Sequence, residues 1–340
     1  MAKAQKIMVT GGSGFIAKHI VLQLLQAGHT VRASVRSETR ANELRQTMAE
    51  HLGDAKDLES RLELTELDLN DDKGWDAALE GVDVLMHTAS PFPLASPKDE
   101  NDLIRPAVDG TLRALKAAKV AGVTRVVLTS SCAAIYYTVP LTTTRAVTEK
   151  DWSDPESPVI SAYSKSKTLA ERAAWDFVAA NPEMQLTTIN PSLVAGPALD
   201  DRFGTSLGIV ERALSGKDPA LPALKIGVVD VRDVAKMHVA AIANKKAIGE
   251  RFIASSDDLW FREVNEILKA AYPDRKITTR QAPNWMIRLF SLFDGAIRSV
   301  TPLLGKDLRA SGQKARDILG VEFISGADAI RASAEYLTKR

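Results

Sequence analysis

The stretch Ile7-Met8-Val9-Thr10-Gly11-Gly12-Ser13-Gly14-Phe15-Ile16-Ala17 decides how the rest of the chain is read. The apolar run over 7–10 predicts a short buried strand. Residues 15–27 then place Ile16, Ile20, Leu24 and Ala27 at helical spacing, and Gly28 stands where a helix stop is expected. Between the two, Gly11 lets the backbone turn tightly after the strand, and Gly14 lets it approach a pyrophosphate. Ala17 supplies the small side chain a helix needs to lie close on its strand. The amides of Ser13, Phe15 and Ile16, at the start of the helix, then make an anion site. A glycine-rich turn without a ligand is the competing reading. The strand before the motif and the amphipathic helix after it favour the phosphate site.

Working outward, short apolar runs alternate with helical-period segments through the first half of the chain, the pattern of a parallel α/β sheet. Strands are predicted at 31–35, 62–67 (ending in Asp68), 82–87, 125–129 and 186–190. Helices are predicted at about 102–120 and 162–180. The run Arg125-Val126-Val127-Leu128-Thr129 is continuously apolar at its centre, as a strand covered on both faces requires. Beyond Pro191, glycine, proline and isolated short elements replace the alternation, and a second domain is expected there. Residues 231–243 return to a regular helix, so the second domain is discontinuous. These breaks assign 1–190 and 229–250 to the dinucleotide-binding domain, and 191–228 with 251–340 to a substrate lobe.

The end of the second strand, Arg32-Ala33-Ser34-Val35-Arg36, bears on the dinucleotide. A chain that binds NAD usually has a carboxylate near this point for the ribose hydroxyls, and that carboxylate repels a 2′-phosphate. Here no acid precedes Glu38. Arg36 and Arg40 are basic, Ser34 can donate a hydrogen bond, and a guanidinium can hold a phosphate in bidentate fashion. NADP is the expected cofactor.

Tyr163 and Lys167 in Ser161-Ala162-Tyr163-Ser164-Lys165-Ser166-Lys167 lie four residues apart and share a helix face, which Lys165 does not. A free phenol, with a pKa of about 10, exchanges protons poorly at neutral pH. An adjacent ammonium is expected to lower it. Ser131, at the end of the 125–129 strand, is a candidate to orient a substrate oxygen. Ser130 competes for that part, because strand register cannot be read from sequence alone.

Composition narrows the remaining classes. The chain has 340 residues, 45% hydrophobic and 26% charged, with a net charge of +1, so neither nucleic acid nor an anionic membrane is an expected partner. Cys132 is the single cysteine, which rules out an internal disulfide. The five histidines show no metal-site spacing, and no metal is expected. His87 reads as structural, and Asp230 and Asp233 as helix-start residues beside Arg232. The N-terminus lacks a signal-peptide pattern, and charges and Pro302 interrupt the apolar stretch 285–304, so a cytoplasmic location is expected. That stretch, with Trp285, Phe290 and Phe293, would suit a helix over an apolar pocket or in a subunit contact.

Taken in order, TGGSGFIA (10–17), VRASVR (31–36), Asp68-Leu69, HTASP (87–91), TSS (129–131), YSKSK (163–167), NPSLVAGP (190–197) and VDVRDVA (229–235) resemble the extended short-chain dehydrogenases. The resemblance is to the branch of dihydroflavonol reductases, cinnamoyl-CoA reductases and microbial aldehyde and ketone reductases, over about residues 5–255. It implies a Rossmann-type, doubly wound parallel sheet of about seven strands with a smaller C-terminal substrate-binding lobe. By position it implies Asp68 and Leu69 at the adenine, Ala89 and Ser90 towards the ribose and nicotinamide, and Pro191 and Val194 bordering the nicotinamide. It also favours Ser131 over Ser130 as the substrate-orienting serine, with Tyr163 and Lys167 as the proton-transfer pair and Lys167 also bonding the nicotinamide ribose. The implied reaction is NADPH-dependent reduction of an aldehyde or ketone, by a monomer or homodimer.

One departure concerns the substrate. After TSS, plant flavonoid reductases carry a small Ala-Gly stretch and an asparagine, whereas here residues 132–137 read Cys-Ala-Ala-Ile-Tyr-Tyr. The larger, more apolar run favours a compact hydrophobic or aromatic carbonyl. The alternatives are a nucleotide-sugar epimerase or dehydratase, an NAD-dependent hydroxysteroid-type alcohol dehydrogenase, and a non-enzymatic NADP-binding regulator. Cys132-Ala133 lacks the acidic pair of the dehydratases, and a regulator would not need Ser131, Tyr163 and Lys167 together.

Overall fold

A computed structural model of the chain describes residues 4–53, 55–91, 99–292 and 300–340. Seven strands form the main sheet: β1 (Lys6–Thr10), β2 (Thr30–Val35), β3 (Leu62–Glu66), β4 (Val84–His87), β5 (Arg125–Thr129), β6 (Gln185–Pro191) and β9 (Glu250–Ala254). Their order is β3-β2-β1-β4-β5-β6-β9, and all six pairings are parallel. Ile7 and Val9 enter the apolar core on one face of the sheet while Met8 enters the core on the other. In β5, Val127 likewise faces away from Val126 and Leu128. Alternate residues of each strand are thus buried on opposite faces, which is why these strands read as unbroken apolar runs rather than as alternation.

Helices Phe15–Gln26, Glu38–Leu52 and Val231–Ala243 cover the first face. Helices Trp75–Leu79, Asn101–Val120 and Ala162–Ala179 cover the second. This is the doubly wound α/β architecture expected from the alternation. The strand order turns back between β1 and β4, so the loops after these two strands diverge and leave a crevice at the carboxyl end of the sheet.

A second sheet of three strands, β10-β8-β7, is built from β7 (Leu193–Ala195), β8 (Lys225–Asp230) and β10 (Asp257–Trp260). Helices Gly208–Ser215, Phe261–Ala271 and Gly326–Lys339 pack on it around Val228, Leu268 and Ile330. Asp230 ends β8 and caps the next helix, its carboxylate accepting the Arg232 amide at 2.8 Å and clasping the Arg232 guanidinium at 2.7 and 2.8 Å. The helix-start role expected for Asp230 follows from that geometry.

The chain crosses between the two units more often than its composition suggests. β9 completes the main sheet through residue 254, past the break read at 250. Ala315, Leu319 and Val321, from the stretch assigned to the lobe, join the core of the main domain. A short edge strand and a seven-residue helix carry too little periodicity to be distinguished from lobe segments.

Of the two roles expected for the apolar stretch near the C-terminus, the pocket wall is not seen in the described residues. Helix Asn284–Phe290 buries none of its side chains, and Trp285, Leu289, Phe290 and Leu292 are exposed. Phe293 lies outside the described residues. Among the described residues, no helix is long and apolar enough to cross a membrane.

Candidate active site

The crevice at the carboxyl end of the sheet is a cleft of about 540 Å³. The glycine-rich loop forms one wall with Gly11, Ser13, Gly14 and Phe15, and the end of β2 with the start of the next helix forms another with Ser34, Arg36 and Arg40. The loop after β4 adds Thr88, Ala89 and Ser90, and Leu69 lies across from it. Gly11 has φ +67°, a left-handed conformation that L side chains rarely adopt, and a Cβ there would lie 3.0 Å from the Ala89 backbone. A Cβ on Gly14 would come 3.1 Å from the Gly11 carbonyl. The loop is thus a cradle that side chains would fill, and it fits the pyrophosphate of a dinucleotide.

Thr10 joins the two strands that flank the crevice. Its hydroxyl is bonded to His87 Nδ1 at 2.8 Å and accepts the amides of Thr88 and Ala89 at 3.1 Å each. Burial pushes His87 down to about 3, with Lys167 adding repulsion, so the imidazole stays neutral, in keeping with a structural part. Ser34 also turns inward: its Oγ accepts the Gly11 amide at 2.9 Å and its carbonyl accepts the Gly12 amide at 2.7 Å. Ser34 thus fastens the glycine loop to β2 as an acceptor and still lines the cleft with its O–H available to donate. Arg36 is exposed, lines the cleft and makes no ion pair among the described residues. Arg40 lines it too, with Nη1 3.1 Å from Glu43.

Several residues expected at the cofactor do not line this cleft, whose walls stop short of Ser131, Tyr163 and Lys167. The Asp68 carboxylate accepts the Asn70 amide at 2.8 Å, closing its own turn, and only its neighbour Leu69 reaches the cleft. Val194 is buried on β7 in the apolar core, and Pro191 ends β6. Neither Val194 nor Pro191 lines the cleft, and nor does Ile16.

Tyr163 and Lys167 stand on helix Ala162–Ala179, whose first turn is set by Ser161, its hydroxyl accepting the Ser164 amide at 3.1 Å. Tyr163 is hydrogen-bonded to the Ser131 hydroxyl. The Lys167 ammonium lies 6.0 Å from the Tyr163 ring centre and donates to Ser90 Oγ at 2.8 Å. That last bond ties the helix directly to the cleft, because Ser90 lines it. Register gives the two serines different partners. Ser130 Oγ points the opposite way, donating to the buried Glu171 at 2.5 Å, and its neighbour Ser131 is left facing Tyr163.

The charge states correct one expectation. Burial pushes the Tyr163 phenol up to about 12, against the lowering that the Ser131 hydrogen bond provides. Lys167 is itself pulled down to about 8 by burial, offset in part by the Glu171 carboxylate. Desolvation, and not the Lys167 ammonium, governs the phenol. Tyr163 is therefore protonated throughout the neutral range.

Below the pair lies a network that sequence spacing does not reveal. Glu171, fully buried, takes Arg251 Nε at 2.7 Å, Asn190 Nδ2 at 2.7 Å and Thr188 Oγ1 at 3.2 Å besides Ser130. Arg251 stacks on Trp152 with its guanidinium carbon 3.6 Å from the ring centre. Asn190 Nδ2 also donates to the Ser131 carbonyl at 3.2 Å, which joins this network to the site. The run after Ser131 packs inward: Cys132 and Ile135 are buried with Val147 and Ile253. Among the described residues no cluster of His, Cys, Asp and Glu could hold a metal ion.

The chain is similar to known proteins over most of its length. A model of the NAD dependent epimerase/dehydratase family matches residues 7–254. Tetraketide alpha-pyrone reductase 2 of Arabidopsis thaliana is 35% identical over 274 residues, covering 78% of this chain and 83% of that protein. The bifunctional dihydroflavonol 4-reductase/flavanone 4-reductase of Malus domestica is 33% identical over 346 residues, covering 97% and 92%. Among solved structures, a yeast methylglyoxal/isovaleraldehyde reductase complexed with NADPH superposes with a TM-score of 0.81. It is 29% identical, with 98% of each chain covered.

Proposed function

We propose, from the premise that this chain belongs to the NAD dependent epimerase/dehydratase family, that it is an NADP-dependent oxidoreductase reducing a carbonyl compound with Ser131, Tyr163 and Lys167. The observation that carries the reading is the Lys167–Ser90 bond, which makes the Ser131–Tyr163 pair and the glycine-lined cleft one site.

Gly11, Ser13 and Gly14 would hold the pyrophosphate, and Arg36 with Arg40 the 2′-phosphate. Bound there, the reduced cofactor supplies a hydride for the carbonyl carbon. Tyr163, kept protonated by its buried setting, gives its phenolic proton to the carbonyl oxygen as charge develops on it. Ser131 donates to the same oxygen and orients it beside the phenol. Lys167, held by Ser90, places a positive charge near the phenolate that proton donation leaves. A compact apolar or aromatic carbonyl is the substrate favoured by the run 132–137, whose half-buried Ala133, Tyr136 and Tyr137 follow Ser131 while Cys132 and Ile135 pack into the core.

The experiment that tests the reaction class follows NADPH consumption with aromatic aldehydes, α-diketones, β-ketoesters, a dihydroflavonol and cinnamoyl-CoA, each repeated with NADH. Turnover of small carbonyls with NADPH preferred is expected. Silence across the panel, with NADP binding shown separately, would overturn the reading in favour of a nucleotide-sugar substrate or a regulatory role.

Cofactor choice has its own expected result. Arg36→Asp replaces the unpaired guanidinium at the end of β2 with a charge that repels a 2′-phosphate. A charge-assisted hydrogen bond of about 1.5–3 kcal/mol implies a rise of roughly 10- to 100-fold in KM for NADPH. KM for NADH should change far less. An intact preference for NADPH in this variant would move the phosphate to other residues.

A further inference from the structure

Arginines from three parts of the chain meet at one end of the cleft. Arg36 follows β2, Arg40 lies in the first turn of helix Glu38–Leu52, and Arg202 arrives from the segment after β7. Two of them share a carboxylate. Arg202 engages Glu43 in bidentate fashion, with Nε and Nη2 each 2.9 Å from a carboxylate oxygen, and Arg40 Nη1 reaches the same group at 3.1 Å. Three guanidiniums and one carboxylate leave a surplus of two positive charges facing the cleft.

The segment bearing Arg202 is fastened down along its length. Lys18, buried in the helix that opens from the glycine loop, pairs with Asp200 and donates to the Arg202 carbonyl at 2.9 Å. Asp200 also accepts the Arg202 amide and the Thr47 hydroxyl, each at 2.9 Å. His19 and His51 bond the carbonyls of Pro197 and Leu199 at 3.0 and 3.1 Å. These bonds seat residues 197–202 across helices Phe15–Gln26 and Glu38–Leu52, so the backbone from which Arg202 extends is set by the fold although its side chain is half exposed.

We propose that Arg202 is a third ligand of the cofactor's 2′-phosphate, joining Arg36 and Arg40, so that a residue beyond the dinucleotide-binding core helps distinguish NADP from NAD. The proposal rests on the NADP reading of the cleft. A planar fork suits this place better than an ammonium, because it can keep one edge on Glu43 and offer another to a phosphate.

The probes are 2′,5′-ADP and 5′-AMP, which differ only in the 2′-phosphate, titrated calorimetrically into the full chain and its variants. The wild type is expected to bind 2′,5′-ADP more tightly. Arg202→Gln should weaken 2′,5′-ADP about tenfold and leave 5′-AMP unchanged, and Arg202→Lys should recover part of the loss. An Arg202→Gln affinity for 2′,5′-ADP within twofold of wild type would overturn the proposal. So would equal loss for both probes, which would mean that the variant disturbs the cleft as a whole. A wild type that does not distinguish the two probes would overturn the NADP reading itself, and the Arg202 proposal with it.

Discussion

Replacing Tyr163 by phenylalanine is expected to lower carbonyl reduction about 10²- to 10⁴-fold, the usual worth of a positioned general acid, with dinucleotide binding unchanged. The substitution removes one oxygen and keeps the ring, so the helix Ala162–Ala179 retains its contacts. What disappears is the hydroxyl bonded to Ser131, a group protonated across the neutral range. Ser131 would still orient a carbonyl oxygen and Lys167 would still hold Ser90, so the remaining rate reports those two residues alone. Steady-state kcat with NADPH, beside NADPH binding followed by fluorescence, makes the measurement. A variant that kept a tenth or more of the wild-type rate would remove Tyr163 as proton donor.

Glu171→Ala should cost about 3–5 kcal/mol of unfolding free energy, the range found when one partner of a buried ion pair is removed. The carboxylate is fully buried, and its loss leaves the Arg251 guanidinium without its counter-charge, held by Trp152 and the Glu149 and Asp151 carbonyls. Ser130 loses its acceptor at the same time, and Thr188 and Asn190 each lose one of two. Domains commonly have only about 5–15 kcal/mol of net stability, so the loss would be a large fraction of the whole. Urea unfolding read by tryptophan fluorescence measures it. A change below about 1 kcal/mol would show that Arg251 finds another partner or water. The substitution also reaches the site, because Asn190 bonds the Ser131 carbonyl and the Glu171 charge supports protonation of Lys167.

These two residues differ in how they can be found. Tyr163 stands out because helix periodicity places it on the face of Lys167, a relation that spans a single turn. Glu171 lies one further turn along the same face, yet its partner Arg251 is eighty residues away, on the edge strand of the sheet. An isolated glutamate in a helix reads as a solvated surface residue, and only the packing of β6 and β9 beneath that helix buries it.

The same division runs through the rest of the molecule. By itself the sequence determined the doubly wound sheet, the glycine loop that turns off its first strand, and the shared face of Tyr163 and Lys167. Each follows from local sterics and short-range periodicity, which the order of residues carries directly. Only the tertiary structure decided that Ser131 and not Ser130 faces the phenol, because that depends on the register of β5 against β6. It also turned the Asp68 carboxylate into a turn cap, brought Arg202 to the rim of the cleft, and lifted the Tyr163 phenol where an adjacent lysine was expected to lower it. Those outcomes depend on which distant segments exclude water from a side chain, and three-dimensional packing alone sets that.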